Sequence, residues 1–307
     1  MKTIDGYFLE AQLSLAAYGN FQPGVISTDA LVNKSVGMSQ LQANLFVSEW
    51  TVVDQFNDPL TGLSATVFEK AGQRYLAVRG TQISDPADLL ADAAIAIGGV
   101  AANQAVALYN YVQRLQGVKG QPVAQLEWNG VGYDLNPGGA VGLLDTPLSG
   151  PVDIAGHSLG GHLAMALGRM MPGVVSHIST YNAPGFNDAV ASFFFSQVDA
   201  ALGQSSSSYL DASTTNLYGS GLNIIAGHAN DHGIPQEIFI EGDTLNPINN
   251  HKIEKLTDAL AVYDLFAKVA PGLDTDPNGL ATITGILTAS SSTAANDDLI
   301  ASKRLTA

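Results

Sequence analysis

Residues 152–167 read VDIAGHSLGGHLAMAL, a strand-like run that gives way to a helix-like one with a serine between glycines at the corner. Val152, Ile154 and Ala155 supply the strand, and LAMALGRMM after the corner supplies the helix. GHSLG matches G-x-S-x-G, and its glycines, Gly156 and Gly160, belong where a tight strand-to-helix turn brings backbones too close for a Cβ. At such a corner the serine is held in a strained conformation with Oγ outward, and the following helix N-terminus offers unpaired N–H groups to a developing anion. Ser158 is therefore the candidate nucleophile. A packing turn with an idle serine is the plain alternative, and the strand before and helix after weigh against it.

A serine hydroxyl attacks only when a base takes its proton, and the base needs an acid to fix its tautomer. In an α/β-hydrolase the chain order is Ser, then Asp or Glu, then His, each in a loop at the carboxyl end of its own strand. Downstream, LNIIAG reads as a strand and the loop HANDHGIP follows it, which makes Asp231 the candidate acid. Asp211 precedes that strand and Asp243 follows the next one, so each is a step out of place. After EIFIEGD the loop TLNPINN leads to His251, immediately before the helical KIEKLTDAL, and His251 is the candidate base. His232 and His228 sit too close to Asp231 in sequence to face it. His157 and His162 read as packing or structural histidines, and His177 has no evident partner.

The oxyanion of the tetrahedral intermediate needs preorganised donors. The N–H of Leu159, the residue after the nucleophile, is one candidate. The backbone N–H of Thr81, just past the strand in LAVRGTQ, is the other.

The rest of the chain fits an α/β pattern. Residues 7–18 carry helical periodicity, and LSATVFE and RYLAVRG flank the turn KAGQ as a hairpin, so the sheet is expected to begin near residue 63. NQAVALYNYVQRLQ (103–116) reads as a helix closed by Gly117. Residues 117–150, rich in Gly and Pro, read as an insertion before the nucleophile strand. VVSHISTYNAP, GLNIIAG and QEIFIEGD follow as strands of a mostly parallel sheet, and LTDALAVYDLF (256–266) as a helix that closes it. The catalytic domain is expected over 1–270. Residues 271–307 are expected to be a C-terminal extension, low in complexity from LTASSS onward, as in a loosely held terminus or the stub of a longer protein.

Composition narrows the partners. The 307 residues carry a formal charge of −15, which disfavours nucleic acid and anionic lipid alike, so contact with a lipid surface would rest on apolar burial and the substrate is expected to be neutral. With no cysteine, disulfides and thiolate metal sites are excluded and the redox compartment is not legible. The N-terminus MKTIDGYFLEAQLSLAAYG has acidic residues and no uninterrupted apolar core, so it does not read as a secretory signal. AAIAIGGVAA, the longest strongly apolar stretch, is about half the roughly 20 residues a bilayer span needs.

Four islands, LAVRGTQ with DPADLLADA, GHSLGGHLA, YNAPGF, and NDHGIP with HKIEKLTDALAVYDLF, resemble the class 3 lipases, the family that includes the fungal triacylglycerol lipases. The resemblance covers about residues 63–270. It implies an α/β-hydrolase fold, hydrolysis of carboxylic esters through an acyl-serine, Ser158, Asp231 and His251 as triad, and Thr81 and Leu159 at the oxyanion hole. Fungal members usually carry disulfides and a secretion signal, which this sequence does not show. The last island is more similar to bacterial secreted lipases and phospholipases whose hydrolase domain heads a longer chain, which implies an extracellular location reached without an N-terminal signal peptide, the cytoplasm being the alternative. In this family the segment after the oxyanion residue often forms a lid, and residues 83–103 are expected to be either such a flap or a buried connecting helix.

The expected activity is therefore that of a serine carboxylester hydrolase on lipid-like esters, a triacylglycerol lipase or esterase. Phospholipase A1 and polyester depolymerase are close alternatives, and a catalytically silent hydrolase fold used for binding is the alternative from another class. This chemistry requires no cofactor and no catalytic metal; the many aspartates leave room for a structural calcium.

Overall fold

The computed structural model describes residues 2–80, 100–205, 207–221, 232–241 and 247–291. In chain order these form helices α1 (Ile4–Ala16), α2 (Thr28–Val32) and α3 (Gln40–Glu49), strands β1 (Thr51–Asn57), β2 (Ser64–Lys70) and β3 (Gln73–Val78), and helix α4 (Ala102–Gln116). Strands β4 (Pro122–Trp128), β5 (Tyr133–Val141) and β6 (Val152–His157) follow, then helix α5 (Leu159–Met170), strand β7 (Val175–Tyr181) and helix α6 (Asp188–Leu202). Strands β8 (Thr214–Gly219) and β9 (Ile234–Ile238) precede helices α7 (Pro247–His251), α8 (Ile253–Val269), α9 (Gly272–Thr275) and α10 (Gly279–Ser290).

Among the described residues the main sheet has seven strands in the order β1-β2-β3-β6-β7-β8-β9. The first three pair antiparallel, and β3, β6, β7, β8 and β9 run parallel. Parallel neighbours need a crossover on a face of the sheet, which α5 supplies between β6 and β7 and α6 between β7 and β8. Successive strand residues point to opposite faces, so Val67 and Leu76 join Leu108 of α4, Leu163 of α5 and Phe195 of α6 on one side. Phe68 and Ala77 join Tyr7 and Leu13 of α1 and Leu256, Leu260 and Tyr263 of α8 on the other. This is the α/β-hydrolase fold. It gathers the carboxyl ends of β3, β6, β8 and β9 at one rim, where an open α/β sheet places its ligands.

The β2–β3 hairpin turns at Ala71 and Gly72, both with positive φ (52° and 80°), the requirement of a two-residue type I′ turn. The insertion forms a separate antiparallel pair, β4–β5, off the main sheet. It is tied to α4 by Asn110, whose Nδ2 donates to the Leu126 carbonyl at 2.9 Å and whose Oδ1 accepts from the Leu126 amide at 2.7 Å. No helix among the described residues is long and apolar enough to cross a membrane.

Three expectations need correction. The sheet begins at Thr51 rather than near residue 63, because β1 pairs with β2 along the sheet edge. The expected GLNIIAG lies, from Leu222 on, outside the described residues; the strand that enters the sheet beside β7 after α6 is TTNLYG, which is not among the expected strands. Its inward positions include Thr215 and Asn216, whose burial is made tolerable by hydrogen bonds, Thr215 Oγ1 with Tyr7 Oη at 2.9 Å and Asn216 Oδ1 from Thr180 Oγ1 at 2.9 Å. His177 does have a partner, since its Nε2 lies 3.2 Å from that same Thr215 hydroxyl. In the C-terminal segment, residues 279–290 form a helix that buries Leu280 and Ile283 against the α8 face of the core.

Candidate active site

Strand β6 ends at His157 and α5 begins at Leu159, so a single residue makes the corner. Ser158 has φ 56° and ψ −129°, a positive-φ conformation that costs a non-glycine residue on the order of 1–3 kcal/mol. The surroundings fix it there. Its amide donates to the Tyr181 carbonyl at 2.9 Å, and its carbonyl accepts from Gly161 at 3.0 Å and His162 at 3.3 Å. A Cβ on Gly156 would strike the Gly160 carbonyl, and one on Gly160 would strike the carbonyl of Val78 on β3. Both glycines are thus required by backbone contact, as the motif predicts.

The imidazole of His251 enters from α7. Its Nε2 lies 2.9 Å from Ser158 Oγ, although 93 residues separate the two in sequence. The pair is nearly sealed, with Ser158 6% and His251 1% exposed. Burial, with a smaller contribution from the neighbouring His157 ring, holds the pKa of His251 well below that of free imidazole, so the ring is neutral and able to accept a proton at neutral pH. Nδ1 of His251 is buried with no hydrogen-bond partner among the described residues. A base that accepts at Nε2 carries its hydrogen on Nδ1, and a buried N–H without an acceptor costs about 1–3 kcal/mol, so this nitrogen calls for an acceptor.

Of the three other sequence candidates, Leu159 lies among the described residues and Thr81 and Asp231 do not. Leu159 opens α5, and because the first hydrogen bonds of that helix come from Gly161 and His162, the Leu159 amide has no intrahelical acceptor and stands beside the Ser158 hydroxyl. Gly80 closes the approach from β3: a Cβ there would meet the His157 carbonyl, the Tyr18 hydroxyl and Ser158 Cβ. Thr81, the next residue, lies outside the described residues. So does Asp231, which falls in the connection between β8 and β9, and so does most of the 83–103 segment, of which only the last residues are described, at the start of α4. Among the described residues no group of three His, Asp or Glu side chains could hold a metal ion.

Two residues that shape the site are not among the sequence candidates, although one of them, Asn182, lies in the island YNAPGF. Asn182, at φ 48° just past β7, donates from Nδ2 to the backbone carbonyls of Asn250 (3.1 Å) and His251 (3.0 Å) and accepts at Oδ1 from the Gly219 amide (3.0 Å). It fastens the base loop to the ends of β7 and β8. Asparagine directly after a β-rich run was the available signal, since it tolerates a left-handed backbone better than most residues. Tyr18, at the end of α1, bonds His157; its site role had no local signal, because the contact spans 139 positions.

No protein-family model and no curated protein matches the chain. Solved structures do. A lipase from Rhizopus microsporus var. chinensis aligns over 78% of this chain and 75% of its own with 17% identity and a TM-score of 0.41. The Lip2 lipase from Yarrowia lipolytica aligns over 80% and 91% with 16% identity and a TM-score of 0.40. Lipase II from Rhizopus niveus aligns over 79% and 82% with 15% identity and a TM-score of 0.36. These fungal lipases are what the chain is similar to, each at 17% identity or less.

Proposed function

We propose that the protein is a serine carboxylester hydrolase acting on lipid-like, water-insoluble esters through an acyl-serine intermediate. The observation that carries this reading is the 2.9 Å contact between His251 Nε2 and Ser158 Oγ at a strained strand-to-helix corner. Ser158 Oγ attacks the ester carbonyl as its proton passes to His251 Nε2. The Leu159 amide and, from the end of β3, the Thr81 amide hold the oxyanion. His251 returns the proton to the leaving alcohol, and a water activated by the same ring then releases the acid. Asp231 is assigned as the acceptor for His251 Nδ1, on its place in the chain order and on the unsatisfied state of that nitrogen. No cofactor enters the reaction. A neutral ester suits a protein of net charge −15 better than an anionic one, and an extracellular location belongs to the same reading.

Purified protein incubated with a fluorophosphonate probe and with p-nitrophenyl esters tests the proposal. Ser158 takes the probe, and Ser158→Ala or His251→Ala lowers ester turnover by roughly 10³-fold or more, the scale seen when a triad member is removed. Undiminished turnover by Ser158→Ala rejects the mechanism, and a native protein that takes no probe favours a silent binding module. Turnover of triglyceride, phospholipid and polyester emulsions side by side separates a triacylglycerol lipase from a phospholipase A1 or a polyester depolymerase.

A further inference from the structure

The residue before the nucleophile is a fully buried histidine whose two ring nitrogens are both engaged. His157 Nε2 lies 2.7 Å from the backbone carbonyl of His251, and Nδ1 lies 2.7 Å from Tyr18 Oη. A carbonyl only accepts, so Nε2 is the protonated nitrogen; the neutral ring then has its lone pair on Nδ1, and Tyr18 Oη–H is the donor to it. Burial keeps the ring neutral, lowering its pKa to about 4, and raises that of the Tyr18 phenol, which stays an O–H. Tyr18 Oη also packs against Gly80, just past β3, where an added Cβ would come within 2.8 Å of it. The directions of both bonds are therefore fixed, Tyr18 to His157 and His157 to the carbonyl of His251.

We infer that Tyr18 and His157 are positioning residues for the proposed hydrolase, a directional relay that joins the end of β3, the residue preceding the nucleophile and the backbone of the base so that oxyanion donor, hydroxyl and imidazole keep one register. The inference rests on the hydrolase reading for its consequence, though not for its geometry. Neither side chain touches the reacting atoms. The relay acts on three places at once. It holds Gly80, one residue before the proposed donor Thr81, so close to the nucleophile that an added Cβ there would lie 3.1 Å from Ser158 Cβ. It locks a single tautomer of His157. It also gives the His251 carbonyl a second donor beside Asn182 Nδ2, which fixes the backbone from which the 2.9 Å contact to Ser158 is made. If Nδ1 carried the hydrogen instead, the Nε2 lone pair would face the His251 carbonyl oxygen at 2.7 Å, and the two acceptors would push the base away from the serine.

Three variants and three readouts test the relay. Nitrogen-15 NMR of histidine-labelled native protein at pH 7 shows His157 as the neutral Nε2–H tautomer; a charged ring or the Nδ1–H tautomer overturns the inference, whether or not the protein turns over any ester. Tyr18→Phe, which removes one oxygen, leaves His157 Nδ1 without its donor and slows fluorophosphonate labelling of Ser158 roughly tenfold or more, with kcat for a soluble ester falling and KM within about twofold, as expected when geometry at the reacting atoms slips. His157→Phe slows labelling by at least as much. His157→Gln, whose amide N–H reaches toward the former Nε2 position, recovers most of the rate. Native labelling rates in Tyr18→Phe, or a His157→Gln protein as slow as His157→Phe, overturn the relay and leave His157 as packing. A native chain that takes no probe fails the hydrolase reading alone, and the tautomer spectrum still decides the relay.

Discussion

Ser158 is asked to do two things that conflict, to be a serine and to sit at φ 56°. Only glycine adopts such a backbone without steric cost, and glycine has no hydroxyl. The strain is resisted by the hydrogen bond from its amide to the Tyr181 carbonyl and by the close backbone packing at Gly156 and Gly160. Comparing two variants that both lack Oγ isolates it. Ser158→Gly is expected to be more stable than Ser158→Ala by about 1 kcal/mol or more, since the Cβ is the source of the penalty. Chemical denaturation of the two proteins measures the difference, and equal midpoints would show that the corner is relaxed. Both variants are expected to be inactive on esters. The corner was legible in sequence because its constraint is local, five residues with two obligatory glycines. The base was legible only by order along the chain, and Tyr18 and Asn182 were not legible as site residues, because what they do depends on contacts formed after the chain has folded.

At the level of elements, the hairpin β2–β3 and the helices α4, α5 and α8 could be read from alternation and helical periodicity because each buries one side in an apolar core. β1 and β8 resist that reading. β1 is an edge strand with Asp54 and Gln55 in its middle, and each is satisfied by a side chain from elsewhere, Asp54 by the Tyr111 hydroxyl at 2.7 Å and Gln55 by Thr66 at 2.8 Å. β8 places Thr214, Thr215 and Asn216 inside the sheet, where tertiary hydrogen bonds replace the apolar signal. The same logic applies to α10, whose sequence GLATITGILTAS resembles a small-residue tail. Its Ile283 is fully buried, and Thr284 Oγ1 lies 2.7 Å from Tyr263 Oη on α8 and donates to the Glu237 carbonyl of β9 at 3.1 Å. Ile283→Ala is therefore expected to destabilise the whole protein by roughly 2–4 kcal/mol, the cost of deleting a buried aliphatic side chain. Differential scanning calorimetry would show one transition at lower temperature. An unchanged transition would mean that α10 contributes nothing to the catalytic core.

On the scale of the whole molecule, stability should fall in mild acid, and the sign follows from which groups are buried uncharged. Desolvation lowers the pKa of His157, His162 and His177 from 6.5 to about 4, and that of His251 in the same direction. Between pH 6.5 and about 4 the unfolded chain binds protons at these rings that the folded chain refuses, so each contributes stability that is present above pH 6.5 and lost as the pH falls through that window. Glu10 opposes them. Its carboxyl is buried beneath the sheet beside Lys2, and desolvation raises its pKa from 4.5 to about 7, so its contribution grows as the pH falls from 7 to 4.5. Asp5, raised from 3.8 chiefly by burial, adds to that side at lower pH. Four histidines outweigh them, and the net loss between pH 7 and pH 5 is expected to be on the order of a few kcal/mol. Relief of self-repulsion in a chain of net charge −15 acts the other way, and about 0.15 M salt, with a screening length near 8 Å, suppresses it. Urea unfolding at pH 7, 6 and 5 in that salt measures the slope. His162→Gln should flatten it, because the His162 ring neither bonds to nor stacks on Ser158 or His251 and meets the fold through one bond to the Gly185 carbonyl at 3.1 Å and a stack on Phe186 at 4.0 Å between ring centroids. A native slope of zero, or one that rises toward pH 5, would place the balance with Glu10 and overturn the assignment of neutral buried rings.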